Sequence, residues 1–159
     1  MTKIRSKRTQ ILAAAALCAV VSGIALATPP SGVSTTILNG GPIAMGEIHL
    51  NDNGDDLDVK LKTKGESDVY VVYNKIAPGG QTGWHMHPGI SVISVKSGTA
   101  TEYHADAPTT PNVHAAGSAF AENTGEAHLI RNEGTIDLEL VAFQIIPRGA
   151  LRRIDVPQP

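Results

Sequence analysis

Residues 79–98 read GGQTGWHMHPGISVISVKSG. They set His85 and His87 one residue apart, ahead of an apolar run that ends in glycine. Residues two apart on a strand point to the same face, so the two imidazoles aim side by side. Continued unbroken, that parity puts Ser91, Ile93 and Val95 with the histidines and Ser94 and Lys96 on the opposite, solvent-facing side. The glycines at 79, 80, 83 and 89 permit close approach of neighbouring backbone. An imidazole pair is a natural start to a transition-metal site, because nitrogen ligands suit iron, manganese, nickel, copper or zinc. Two nitrogens alone bind weakly, so a third ligand must come from elsewhere, and His128 is the candidate.

Outward from this stretch the chain reads as short apolar segments rich in valine, isoleucine, threonine and tyrosine. They cover residues 37–38, 47–50, 57–62, 69–76, 90–95, 99–104, 127–130 and 136–146. Turn signals divide them, at 39–42, 51–56, 77–80, 97–98, 107–108 and 132–134. Residues 57–62 alternate with period two. Many short strands at this spacing predict an all-β sandwich or barrel.

The two ends read differently. Lys3, Arg5, Lys7 and Arg8 precede an uncharged run over 11–27 that closes on Ala25-Leu26-Ala27. A basic start, an apolar stretch and a small-x-small end predict a secretory signal peptide over 1–27, cleaved after Ala27. The product is then expected in a periplasm or outside the cell, with no membrane attachment. Residues 28–35 read as a linker, 36–150 as the domain and 151–159 as a C-terminal arm. The single cysteine, Cys18, lies in the signal run, so the mature domain has neither a disulfide nor a thiol nucleophile. Cleavage takes Lys+Arg from 13 to 9 against 15 Asp+Glu, a formal charge near −6. With no basic stripe to neutralise phosphates, nucleic acid is not an expected partner.

Two other motifs fail on their chemistry. Placing Gly54 sixth in a calcium loop would put His49 first and Lys60 twelfth, and neither suits a hard cation. The glycines of 79–83 lack the lysine and helix of a phosphate-binding loop.

The spacing around the histidines resembles a known family. Gly79-x5-His85-x-His87-x3-Ser91-x6-Gly98 is similar to the first cupin motif, which runs glycine, His-x-His, glutamate, glycine. Gly117-x5-Asn123-x-Gly125-x2-His128-x3-Asn132 is similar to the second, which runs glycine, proline, glycine, histidine, asparagine. The resemblance implies a small jelly-roll barrel, the double-stranded β-helix. It implies one divalent transition metal (Fe, Mn, Ni, Cu or Zn) held by His85, His87 and His128, with Gly98 and Asn132 in turns. Asn123 replaces the motif proline, and Ser91 replaces the motif glutamate. A site without that carboxylate would be three neutral imidazoles with a face open to water, dioxygen or a bidentate anion.

Ser91, Glu102, Tyr103 and Gln144 are the candidates to stand behind the ligands. One parity of residues 102–104 faces the cavity, giving either Tyr103, a base for lyase or isomerase chemistry, or the pair Glu102 and His104, with Glu102 as a substitute carboxylate. Gln144 shares parity with Leu138, Leu140 and Ala142. Trp84 and Met86 read as rim or packing residues. His49 and His114 have no partner at ligand spacing and read as surface or loop histidines, with Glu126 and Arg131 as exposed neighbours of His128. The function expected is a metal-dependent dioxygenase acting on a small organic molecule. The alternative is a non-catalytic module that binds a small ligand or metal. Pairing through the sheets into a homodimer is part of the same expectation.

Overall fold

The computed structural model describes residues 26–44, 47–51 and 58–159. Nearly all of the expected signal peptide and the centre of the acidic turn lie outside these residues. So does the side chain of His49.

The described residues form twelve strands and no helix. They are β1 (Ser31–Ile43), β2 (Glu47–Asn51), β3 (Asp58–Lys62), β4 (Ser67–Gln81), β5 (His85–Met86) and β6 (Ile90–Ser97). Then follow β7 (Thr99–His104), β8 (Ala107–Ala115), β9 (Ala119–Glu122), β10 (His128–Arg131), β11 (Leu138–Pro147) and β12 (Ile154–Asp155). β2 and β3 make a separate hairpin. The other ten form one antiparallel sheet that rolls into a nearly closed jelly-roll barrel.

Long β4 organises the sheet. β11 runs along one edge, from Leu138 opposite Ile76 to Pro147 opposite Ser67. β1 runs along the other, from Val33 opposite Ile76 to Ile43 opposite Ser67. β6 pairs with the far side of β11, and β9 with the far side of β6. Alternation along β6 buries Ser91, Ile93 and Val95 and exposes Val92, Ser94 and Lys96, as the sequence parity requires. Along β11 it buries Leu138, Leu140, Ala142 and Gln144. Val72, Ile76, Ala100 and Ile130 complete the apolar part of the interior. Each fully buried large aliphatic side chain contributes about 1.5–3 kcal/mol.

Several local expectations are corrected. Residues 31–35, read as a linker, and 39–42, read as a turn, both belong to β1. Pairing with β4 satisfies this backbone, with a register shift between Ile37 and Asn39 absorbing the irregularity. Residues 77–80 are not a hairpin turn. β4 continues through them, kinked at Gly79 (φ 74°), and carries Gln81 across to Arg131 of β10. Residues 107–108 open β8, which pairs with β7, and β9 was not anticipated. The arm at 151–159 is built into the barrel, because β12 pairs with β5 and Ala27 bridges to Pro157.

Candidate metal centre

His85 and His87 reach the interior because a short strand and a bridge hold their backbones. His85 lies opposite His128 of β10 on one side and Asp155 of β12 on the other. His87 bridges to Thr124, and its carbonyl accepts the Gly125 N–H. Gly83 sets the approach. Its φ is +73°, and a Cβ there would sit 2.1 Å from the Thr28 carbonyl oxygen. Its own carbonyl accepts the Nδ1–H of His85 at 2.8 Å.

The other two rings are anchored in the same way. His128 Nδ1–H donates to the Glu126 carbonyl at 2.9 Å, and His87 Nδ1–H to the Arg152 carbonyl at 2.6 Å. A carbonyl only accepts, so every Nδ1 carries its hydrogen and every neutral ring keeps its Nε2 lone pair free. The rings converge, with centroids 4.4, 5.0 and 5.3 Å apart.

A fourth residue completes the cluster. Glu122, at the end of β9, places Oε2 3.1 Å from His87 Nε2 and Oε1 3.1 Å from His128 Nε2. It is 2 % exposed, and His128 is fully buried. One ligand atom from each of His85, His87, Glu122 and His128 lies within 4.8 Å of every other, so the four can hold a metal ion. The polar chemistry fits such an ion. His128 Nε2 is close to the carboxylate yet off the line of a hydrogen bond, and has no hydrogen-bond partner among the described residues. Imidazole lone pairs facing carboxylate oxygens repel unless a cation, proton or metal, lies among them.

The electrostatics say the same. Burial pushes the Glu122 carboxyl up, but contacts with His128 and His87 outweigh it and hold it well below the usual carboxylate range. Burial pulls His128 down, yet contact with Glu122 leaves it above its ordinary value. His85 is held well below its ordinary value by burial, then by the charges of His128 and Arg153.

Glu122 is the residue sequence reasoning missed, and its position explains Ser91. The register of β6 and β9 puts Ser91 directly opposite Glu122. The carboxylate stands on β9, across from Ser91 on β6, and the site is three imidazoles with a carboxylate rather than three neutral imidazoles. The available signal was alternation in 119–122, which puts Glu122 on the face of Phe120, but only the register shows what it faces.

Two of the four candidates expected behind the ligands are at the site. Ser91 and Gln144 line the cavity, and Gln144 Nε2 donates to Ser91 Oγ at 3.3 Å. Gln144 Oε1 accepts from Arg152 Nη1 at 3.0 Å. The other two are elsewhere. Glu102 is buried, but it faces His114 and His104 at 2.9 and 3.3 Å. Tyr103 donates to Glu133 at 2.6 Å, away from the cavity, and that hydrogen bond, more than burial, raises its phenol. His114 therefore has a partner, and it stacks on Phe120 at 3.9 Å. Trp84 is buried packing. Glu126 is tied to His104 and Asn123. Asn132 is a buried turn residue that donates to the Ile76 and Ile136 carbonyls and accepts from Gly134 N–H.

A cavity of about 70 Å³ adjoins the cluster. His85, His87 and Glu122 form its polar end, and Ile93, Ile130, Leu140 and Ala142 form its apolar wall.

A barrel of this topology with such a cluster defines the class of protein. The family model described as "Cupin domain" matches residues 72–143. Those residues, 72 of the chain's 159, carry a cupin domain. Among solved structures it is similar to the polyketide cyclase RemF from Streptomyces resistomycificus, at 16 % identity and a TM-score of 0.53, over 84 % of this chain and 79 % of that one. It is also similar to an uncharacterized double-stranded β-helix protein from Klebsiella pneumoniae, at 22 % identity and a TM-score of 0.48, over 55 % and 74 % of the two chains. A predicted oxalate decarboxylase from Thermotoga maritima matches at 23 % identity and a TM-score of 0.43, over 52 % and 83 %. No curated protein matches in sequence. The RemF likeness supports the barrel across most of both chains and says nothing of chemistry.

Proposed function

We propose that this cupin binds one divalent transition metal through His85, His87, Glu122 and His128 and acts as an exported dioxygenase on a small organic molecule. The observation that carries the metal is that each ring's Nδ1 is bound to a backbone carbonyl, with Nε2 of His87 and His128 at the Glu122 carboxylate and a ligand atom of His85 within 4.8 Å of the others. An ion held there would supply Lewis acidity and, when redox-active, a place for dioxygen beside the substrate. The chain's own residues supply the rest. Backbone carbonyls fix each ring tautomer, Gln144 and Ser91 hold one polar wall, and the aliphatic wall excludes bulk water. The small cavity favours a substrate of few heavy atoms.

The test is metal analysis of protein purified without chelator, followed by dioxygen uptake with small enols and diketones. Near one metal per chain and uptake abolished by His85→Ala are expected. Metal binding without uptake across the panel would instead support the non-catalytic module.

A further inference from the structure

The C-terminal arm does more than close the barrel. Arg152 and Arg153 both line the cavity beside His85, His87 and Glu122, and both lie outside the residues the family model matches. The backbone holds them there. The Arg152 carbonyl accepts the His87 Nδ1–H, Ile154 pairs with Met86, Asp155 pairs with His85, and Val156 N–H donates to the Trp84 carbonyl. Each guanidinium is fixed along one edge only. Arg152 Nη1 donates to Gln144 Oε1 at 3.0 Å, with its guanidinium 5.8 Å from the Tyr70 ring. Arg153 Nε donates to Asp155 Oδ1 at 2.5 Å. Arg153 Nη2 is buried and has no hydrogen-bond partner among the described residues.

An oriented, buried and unpartnered guanidinium N–H at a small cavity is a donor awaiting an oxygen. Among the described residues Arg153 has a carboxylate partner, Asp155, and Arg152 has none, so the Arg152 charge at the cavity is not offset by an ion pair. A planar, bidentate oxyanion matches the fork of an arginine. We propose that Arg152 and Arg153 make the cavity selective for a small carboxylate, with Arg153 as its principal anchor. This rests on the reading of the site given above, as the ligand of the same cavity.

The experiment uses malonate and its neutral isostere malonamide, with calorimetric binding and metal content measured on the same samples of the full chain. Binding of malonate but not malonamide, weakened at least tenfold in Arg153→Gln with metal content unchanged, is the expected result. Equal binding of both compounds, or no change in Arg153→Gln, overturns the inference while leaving the metal site intact. Protein that takes up no metal defeats the function proposed above. The anion site is then judged by thermal melting of the metal-free chain, where malonate but not malonamide must raise Tm. Should Arg153→Gln fail to fold, Arg153→Lys and the comparison of the two compounds on the wild-type chain decide the question.

Discussion

Among the described residues two clusters share the same residue types, one fully buried and one buried only at its central carboxylate, and they behave differently. One is His85, His87, His128 and Glu122; the other is Glu102, His104, His114 and Glu126. Both centre on a carboxylate only 2 % exposed, with imidazole nitrogens 2.9–3.3 Å away. In the first, backbone carbonyls bind every Nδ1 and the three Nε2 atoms turn inward together. In the second, His104 uses Nδ1 on Glu126 and turns Nε2 to Glu102 and Asn112. That ring is consumed by side chains, and the cluster is a bracket joining β7 and β8. What separates a metal site from a structural network is where the second nitrogen of each histidine goes.

The largest effect that would break this contrast is loss of the inner carboxylate. Glu122→Gln should lower metal affinity by more than the roughly 10–100-fold that loss of an outer hydrogen-bond partner costs. Glu102→Gln should leave metal content at the wild-type level. Metal titration of both variants checks the pair; similar losses in the two would erase the distinction.

Next comes the cross-strand exchange. Ser91 is fully buried between Glu122 and Gln144, so Ser91→Glu alone overpacks the site and sets two carboxylates together. It should cost about 1–3 kcal/mol in urea melts of the metal-free protein. The double variant Ser91→Glu, Glu122→Ser should regain most of the metal affinity that Glu122→Ser loses. A double variant no better than Glu122→Ser would show that the two positions are not equivalent.

The outer cluster should register in stability instead. Glu102→Gln is expected to lower it by about 1–3 kcal/mol, from buried groups left imperfectly paired. Thermal or urea unfolding reads this directly.

The smallest effect is in pH. Glu122 is depressed in the fold, so its contribution is complete above its unfolded value, near 4.3, and is lost as pH falls below it. His85, also depressed, is kept neutral, so it adds a loss as pH falls below its unfolded value, near 6.5. His128 is raised, so its contribution is complete below about 6.5 and fades as pH rises through its folded value. Metal-free protein should therefore weaken from pH 6.5 down to 4. In Glu122→Gln the His128 titration, followed by NMR, should move downward, because burial then acts without the carboxylate opposing it.

Much of this was legible in the order of residues. His-x-His on one strand face, the inward parity of Ser91, Ile93 and Val95, and the buried set on β11 all follow from a side-chain period of two. That period is local, and the chain carries it wherever the strand lies. His128 was found through the spacing of two motifs, and Asn132 as a turn residue with it. Glu122 and the paired arginines were not found. Each enters the site through a pairing of distant segments: β9 with β6 at Ser91, and β12 with β5 at His85. Strand register is set by the whole sheet closing on itself, and a shift of one residue would turn Glu122 to the other face. The sequence by itself determined an all-β chain with inward histidines. Only the closed barrel decided which carboxylate meets them and which cations line the cavity, because those contacts exist nowhere along the chain until the sheet has closed.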